Sequence, residues 1–383
     1  MHKNIMNEEL NQFRETYRKW LKAEVVPHQE KWREAGIIPK EMYRKAGAQG
    51  FLCLTQGVEY GGLGLDFRYS AVAIEEMARI GESGLAYFLH SDIIAPYIEE
   101  FGNEVQKKKY LPKMADGSMI GAIAMTEPGA GSDLQAIQTS ARLEGDTWVI
   151  NGQKTFISNG QCSDLVIVVA KTGDSSDPKR KYARQSLFIV EAATPGFTRG
   201  RTLKKIGCHS QDTAELFFQE CRVPKENLLG VEGEAFKYLM KQLGRERLTI
   251  AIWSLALAQK SLEETIAYCK SRKLFSQAVS DFQNARFKFA EMATEISFAE
   301  AFVDRCIMQI VQGEDISVSG SQAKYGCTEL LGRVVDECVQ LHGGYGYMEE
   351  YPIARAYVDA RIQRIFGGTS EVMKEIIARS VLS

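Results

Sequence analysis

The sequence predicts an α+β multidomain protein: an N-terminal α-helical domain over residues 1–119, a middle antiparallel β-domain over 120–226, and a C-terminal four-helix bundle over 227–383. Three observations carry this reading. Apolar residues recur at three and four positions up to about Met119, turn-separated β-branched and aromatic runs follow to Pro224, and long helical periods return after Gly233.

In the first segment, Leu10, Phe13, Tyr17, Trp20 and Leu21 lie on one helical face, and Ala71 to Ile80 repeats in the same way. Gly57 to Gly64 interrupts the helices. No G-x-G-x-x-G opens a helix there, so it reads as a loop and not as a dinucleotide fingerprint. In the second segment, Trp148 to Ile150, then Asn151-Gly152, then Lys154 to Ile157 reads as a hairpin, since Asn-Gly supplies the two positive φ angles of a type I′ turn. Leu165 to Ala170, Ser186 to Val190 and Glu215 to Phe218 read as further strands, and Thr172 to Arg184 as a polar loop. In the third segment, Phe236 to Arg272, Asp281 to Gln312 and Ser317 to Leu341 are helical, broken by Gly313 and Gly343-Gly344. Helices of that length with short connections imply an antiparallel bundle.

The chain has 383 residues, enough for two or three domains with large cores, and its 45% hydrophobic and 25% charged residues are ordinary for a soluble globular protein. A net charge of -2 provides no field for nucleic acid or an anionic membrane, and the runs Lys107-Lys108-Lys109 and Lys179-Arg180-Lys181 read as solvated faces. Eight cysteines without a C-x-x-C pair and five scattered histidines argue against a metal site or a disulfide framework. No window approaches eighteen uninterrupted apolar residues and the N-terminus lacks an apolar leader, so no integral membrane segment and a cytoplasmic location are expected.

Four tracts, taken together and in order, resemble the acyl-CoA dehydrogenase family over nearly the whole chain. They are Ala124-Met-Thr-Glu-Pro-Gly-Ala-Gly-Ser-Asp133; Asn151-Gly-Gln-Lys-Thr-Phe-Ile-Ser-Asn-Gly160; Arg272-Lys-Leu-Phe275 with Gln283; and Gln340-Leu-His-Gly-Gly344 through Ile365-Phe-Gly-Gly-Thr-Ser-Glu371. The resemblance implies FAD bound between the β-domain and the bundle, in a homotetramer built as a dimer of dimers. It also implies an acyl-CoA substrate and an electron-transfer flavoprotein as acceptor.

By that resemblance Met125, Thr126 and Ser132 meet the flavin and its pyrophosphate, with Ser132 also along the CoA chain. Alone, that glycine-rich tract would be a plain turn. Phe156, Ile157 and Ser158 would lie against the isoalloxazine. Phe156 and Ser158 stand where many members have Trp and Thr, so an aromatic face and a hydroxyl are retained. Arg272, Phe275, Gln283, Gln340, Gly343 and Gly344 would hold the distal end of the FAD of a neighbouring subunit, Arg through its planar fork. Thr369 and Glu371 would approach FAD, and Phe366 the substrate. Ala95 and Pro96 would lie near the deep end of the acyl cavity.

The family's base removes an α-proton while the β-hydrogen leaves as hydride, and most members place that base directly before the Gly-Thr of the last tract. Here that position is Gly367, which has no side chain. The long-chain and isovaleryl types instead carry it one residue before an arginine on the first bundle helix, and Glu246-Arg247 matches. A Glu flanked by Arg on a helix is otherwise an ordinary solvated ion pair. The empty position 367 makes Glu246 the expected base, Gly367 a backbone donor to the thioester carbonyl and Arg247 a substrate-orienting residue. Leu243 to Ala251 and Gln340 to Tyr351 resemble the long-chain type most. The expected function is therefore α,β-dehydrogenation of medium- to long-chain acyl-CoA in β-oxidation. The alternatives are a short branched acyl substrate, an oxidase, a monooxygenase of this fold, or a non-catalytic CoA-ester scaffold.

Overall fold

The computed structural model describes residues 5–173 and 185–383; most of the expected polar loop at Thr172 to Arg184, with its basic run, lies outside the described residues. The N-terminal helices are α1 (Glu8–Glu24), α2 (Gln29–Ala35), α3 (Glu41–Ala48), α4 (Phe67–Arg79), α5 (Ala95–Phe101) and α6 (Glu104–Ala115). Their starts carry the chemistry that satisfies orphan amides. Asn7 accepts from the Leu10 amide at 2.8 Å, Asp66 from the Arg68 amide, and Asn103 with Gln106 forms a capping box. A π-helical turn, Leu89–Ile94, feeds directly into α5. The glycine-rich stretch before α4 holds one short 3-10 turn, Val58–Tyr60, and a Cβ at Gly62 would collide with the Gln56 carbonyl.

The bundle contains α7 (Ala235–Ser271), α8 (Gln283–Val311), α9 (Ser317–His342), α10 (Pro352–Ala360) and α11 (Ser370–Leu382), within a residue or two of the periods in the sequence. The N-terminal helices have no separate core. Tyr17, Leu21, Ala71, Ile74 and Met77 pack in one buried cluster with Leu248, Ala251, Ile252 and Leu255 of α7. Apolar burial across that seam locks α4 and α7 together.

Between the helical parts lies a sheet of β1 (Gly121–Ala124), β2 (Ser140–Glu144), β3 (Thr147–Ser158), β4 (Leu165–Lys171), β5 (Gln185–Glu191), β6 (Phe197–Thr202), β7 (Thr213–Pro224) and β8 (Leu228–Leu229). Among the described residues its order is β6-β7-β3-β2-β4-β5-β8, with β1 also on β4. Most pairings are antiparallel, as expected, but β1 runs parallel to β4 from Gly121↔Leu165 to Ala124↔Val168, and β2 meets β4 in parallel at Ser140↔Lys171. The uninterrupted apolar run of β4 has this cause, since both its faces are covered. Leu165, Ile167 and Val169 pack with Ile93, Tyr97 and Met114 of the helices, while Val166, Val168 and Ala170 face Trp148, Phe188 and Val223 inside the sheet.

The hairpin expected at Asn151-Gly152 is not formed. β3 continues straight through it, and the ladder with β7 slips there by a bulge between Ile150 and Gly152. Gly152 is needed for close approach, because a Cβ would lie 2.6 Å from Thr139 Cα. Asn151 is held by β7 instead, donating to Glu220 Oε1 at 2.7 Å and accepting the Glu220 amide at 2.8 Å. The hairpin in this region is β2 to β3, turning at Gly145-Asp146. Two consecutive positive φ angles occur at Phe275 and Ser276, in the turn of a small ribbon pairing Lys273–Leu274 with Gln277–Ala278.

A buried ion pair ties the Met125–Asp133 turn to β3. Lys154 Nζ donates to Glu127 Oε1 at 2.8 Å and to the Met125 carbonyl at 2.9 Å, with the Lys154 side chain fully buried. Glu127 also accepts the Gln138 and Thr139 amides. Burial pushes its carboxyl up, but those donors outweigh burial and hold it below the usual range. Lys154→Met leaves Glu127 buried without its counter-ion and is expected to cost about 3–5 kcal/mol. Thermal unfolding midpoints read this, and an unchanged midpoint refutes it.

Candidate active site

Glu246 lies on the face of α7 that meets the N-terminal helices, with 5% of its surface exposed. It is not the solvated ion pair that its two arginine neighbours would make on an open helix. Arg245 turns away, donating to Thr55 Oγ1 at 2.8 Å and pairing with Asp92 of the π-helical turn at 3.3 Å. Arg247 is buried, donates from Nη1 to Ser321 Oγ of α9 at 3.2 Å, and leaves its Nε without a hydrogen-bond partner. The carboxylate is instead held by Tyr97 of α5, whose hydroxyl donates to Glu246 Oε1 at 2.8 Å. Burial pushes the Glu246 carboxyl up to about 7, against the opposing pull of Tyr97 and Arg247. A carboxylate poised there is matched to proton transfer near neutral pH.

Gly367 comes to the same helix face. Its φ is 62°, and a Cβ built on it would stand 2.5 Å from Ile250 Cδ1, one turn of α7 beyond Glu246. The backbone at 367 therefore has no room for a side chain while Ile250 keeps its place. The following residue is fixed by Lys324 of α9, a buried lysine that donates to the Gly368 carbonyl at 2.5 Å. Burial, with repulsion from Arg247, draws that ammonium down to about 8. Phe366 stands at the edge of exposure, and Thr369 caps α11 by accepting the Val372 amide at 3.3 Å, with Glu371 exposed in the first turn.

The residues expected to meet a flavin form a second cluster. The Thr126 carbonyl accepts the Thr155 amide at 2.9 Å, which sets the glycine-rich turn beside β3. Glu127 and Ala130 close that turn on each other, leaving Ser132 exposed, and nothing lies within 4 Å of a Cβ at Gly129 or Gly131. A second bulge, between Lys154 and Ile157, throws Phe156 outward at φ 60° with 67% of its surface exposed, while Ile157 stays buried and Ser158 half-buried.

A third cluster lies at the far end of α7, where Arg272, Gln340, Gly343 and Gly344 line one groove and Arg272 sits 5.7 Å over the Tyr345 ring. Phe275 stands out beside it with 92% of its surface exposed, and Gln283 opens α8. A Cβ at Gly343 or Gly344 would meet nothing within 4 Å. Large aromatic faces left in water in left-handed backbone, beside glycine cradles open on their outer side, fit a flat aromatic cofactor with a pyrophosphate. Among the described residues no cluster of His, Cys, Asp or Glu could hold a metal ion. Sequence reading missed Tyr97, Lys324 and Ser321; each lies in a helix with no motif around it.

Known proteins resemble this chain over its whole length. The chain is 48% and 47% identical to the mitochondrial long-chain specific acyl-CoA dehydrogenases of Mus musculus and Sus scrofa, over 100% and 99% of its length and 88% of theirs. Its structure superposes on an acyl-CoA dehydrogenase from Geobacillus kaustophilus with a TM-score of 0.96 at 50% identity, covering 98% of this chain and 99% of that one. It also superposes on an acyl-CoA dehydrogenase complexed with FAD from Bacillus anthracis, with a TM-score of 0.91 at 31% identity, covering 100% of this chain and 68% of that one. Residues 7–118, 122–221 and 233–382 match in turn the models of the acyl-CoA dehydrogenase N-terminal, middle and C-terminal domains, and the chain therefore belongs to the acyl-CoA dehydrogenase family.

Proposed function

We propose that this FAD-dependent acyl-CoA dehydrogenase uses Glu246 as the base that takes the α-proton of a long-chain acyl-CoA thioester. The observation that carries this is a buried carboxylate, pushed up to about 7, on the α7 face that also packs beneath Gly367, where a Cβ would stand 2.5 Å from Ile250 Cδ1. Identity to long-chain specific relatives supports the acyl length.

The residues divide the work by position. The α C–H bond breaks toward Glu246, and its electron pair forms the new Cα=Cβ double bond of a trans-2-enoyl-CoA. Negative charge grows on the thioester oxygen meanwhile, and the Gly367 N–H is the donor proposed to meet it. Lys324 keeps that backbone in place by holding Gly368, and Arg247 adds buried positive charge beside the carboxylate. Bound FAD supplies the acceptor for the β-hydrogen, which leaves as hydride. Met125, Thr126, Ser132, Phe156, Ile157 and Ser158 would bind its flavin end, Ser132 and Phe366 the substrate, and Thr369 and Glu371 would approach the cofactor.

The distal groove, with Arg272, Phe275, Gln283, Gln340, Gly343 and Gly344, is assigned to the FAD of a neighbouring protomer in a homotetramer. Arg272 lies about 39 Å along the helical path from Glu246, farther than one dinucleotide reaches. Electron-transfer flavoprotein is the proposed acceptor. A reducing, cytoplasm-like compartment suits eight free cysteines, seven of them buried; no helix among the described residues is long and apolar enough to cross a membrane.

Glu246→Gln is expected to bind palmitoyl-CoA with near-parental affinity and to slow flavin bleaching by about 10²–10⁴-fold under anaerobic conditions. Bleaching at the parental rate would falsify the assignment. Because the base must be ionised in the free enzyme, kcat/KM should fall as pH drops through about 7 and level off above it; a profile flat from pH 5 to 8 speaks against Glu246. Gly367→Glu placed in Glu246→Gln should stay inactive, and adding Ile250→Ala, which clears the space above position 367, should recover about tenfold. Equal activity with and without Ile250→Ala contradicts the steric account.

A further inference from the structure

Several polar contacts fasten α7 to the N-terminal helices, Lys241 with Glu100 and Arg79 with Glu263 among them, and three more lie at or beside Glu246. Arg245 meets Asp92 at 3.3 Å, Glu246 meets Tyr97 at 2.8 Å, and Gln242 meets Glu100 at 2.5 Å. The Arg245 and Gln242 contacts join side chains elsewhere along the seam, whereas the Tyr97 contact ends on the proposed base. Tyr97 is fully buried, and its ring packs 6.1 Å from Phe101, which in turn stacks at 4.0 Å on Tyr238 of α7. That stack fixes where the phenol oxygen lies. Filling the space would need only a phenylalanine; the hydroxyl adds a buried donor, and Glu246 Oε1 is its acceptor. Among the described residues, Glu246 Oε2 accepts no hydrogen bond.

We propose that Tyr97 is a positioning residue for the base: its hydroxyl anchors Oε1 of Glu246, so that Oε2 is the atom that takes the α-proton of the substrate. This rests on the reading of Glu246 as the base. The α C–H bond breaks, the proton passes to Oε2, and Tyr97 keeps its own proton throughout. Burial and the adjacent Glu246 hold its phenol well above the usual tyrosine range, which agrees with that role. The charged groups acting on the pair are Glu100 on α5 and Arg247 on α7; nearby, Asp92 of the π-helical turn pairs with Arg245, and Lys324 on α9 is repelled by Arg247. Glu75 and Glu76 of α4 pair with Arg14 and Arg18 of α1, and Asp359 of α10 accepts from Cys208.

The hydrogen bond is stronger to the carboxylate than to the carboxylic acid, so its removal has a signature in pH. In the full-length, FAD-loaded protein, Tyr97→Phe is expected to raise the midpoint of the pH profile for palmitoyl-CoA bleaching by about one unit. The rate below that midpoint should fall about tenfold in consequence, with palmitoyl-CoA affinity unchanged. The thermal midpoint of Tyr97→Phe should trail the parent by more at pH 8 than at pH 5, because the ionised form loses the stronger bond. A profile that does not move, or a thermal gap independent of pH, overturns the proposal while a dead Glu246→Gln leaves the base in place. Active Glu246→Gln removes both readings. If Tyr97→Phe does not hold FAD, 3-fluorotyrosine installed at position 97, nearly isosteric and a stronger donor, decides: a lowered midpoint supports the anchor, and the parental midpoint overturns it.

Discussion

A carboxylate kept inside a protein must be held by something, and in this chain the holding of Glu246 organises much of the rest. Its nearest cation does not make a direct ion pair with it, and its neighbour Arg245 is drawn off by Asp92 and Thr55. The donor comes from across the seam, from Tyr97, and that seam exists because α4 and α7 bury one shared apolar cluster. Burial raises the carboxyl and the phenol moderates the rise, leaving the group near neutrality. Packing between two domains is thereby converted into proton affinity at one oxygen pair.

The second constraint is steric. A side chain at position 367 would compete for space with Ile250 of α7. Ile250 occupies the space above position 367, one turn along from Glu246, so a residue with a Cβ at 367 and the present α7 cannot coexist without displacement. The left-handed φ at Gly367 adds to the exclusion of other residues. What remains at 367 is a backbone amide, next to the Gly368 carbonyl that Lys324 holds, and in the proposed reaction that amide serves the developing oxyanion.

The β-sheet has a different task, which is to present rather than to bury. Its inner strands are apolar on both faces and act as the rigid wall between helices and sheet core. The residues proposed to meet the flavin lie where regularity fails. The bulge after Lys154 puts Phe156 out into solvent, and the buried Lys154–Glu127 pair keeps the glycine-rich turn against the same strand. Irregular backbone of this kind is tolerated because the surrounding ladder and the ion pair over-determine it.

Periodicity alone was enough for the three-part α, β, α order and for the spans of α7, α8 and α9, since 3.6-residue and two-residue repeats report directly which face is buried. The family resemblance, with glycine at position 367, pointed to Glu246, which taken alone would read as a solvated ion pair; its burial was not legible. The Asn-Gly pair misled, because the steric demand of Thr139 on Gly152 comes from a neighbouring strand and a turn propensity knows nothing of it. The parallel pairing of β1 with β4 was likewise invisible, as strand direction depends on where the chain re-enters the sheet. Tyr97 and Lys324 carried no local signal at all. Their importance lies in contacts between residues far apart in the chain, and only tertiary packing decides which buried hydroxyl meets which buried carboxylate.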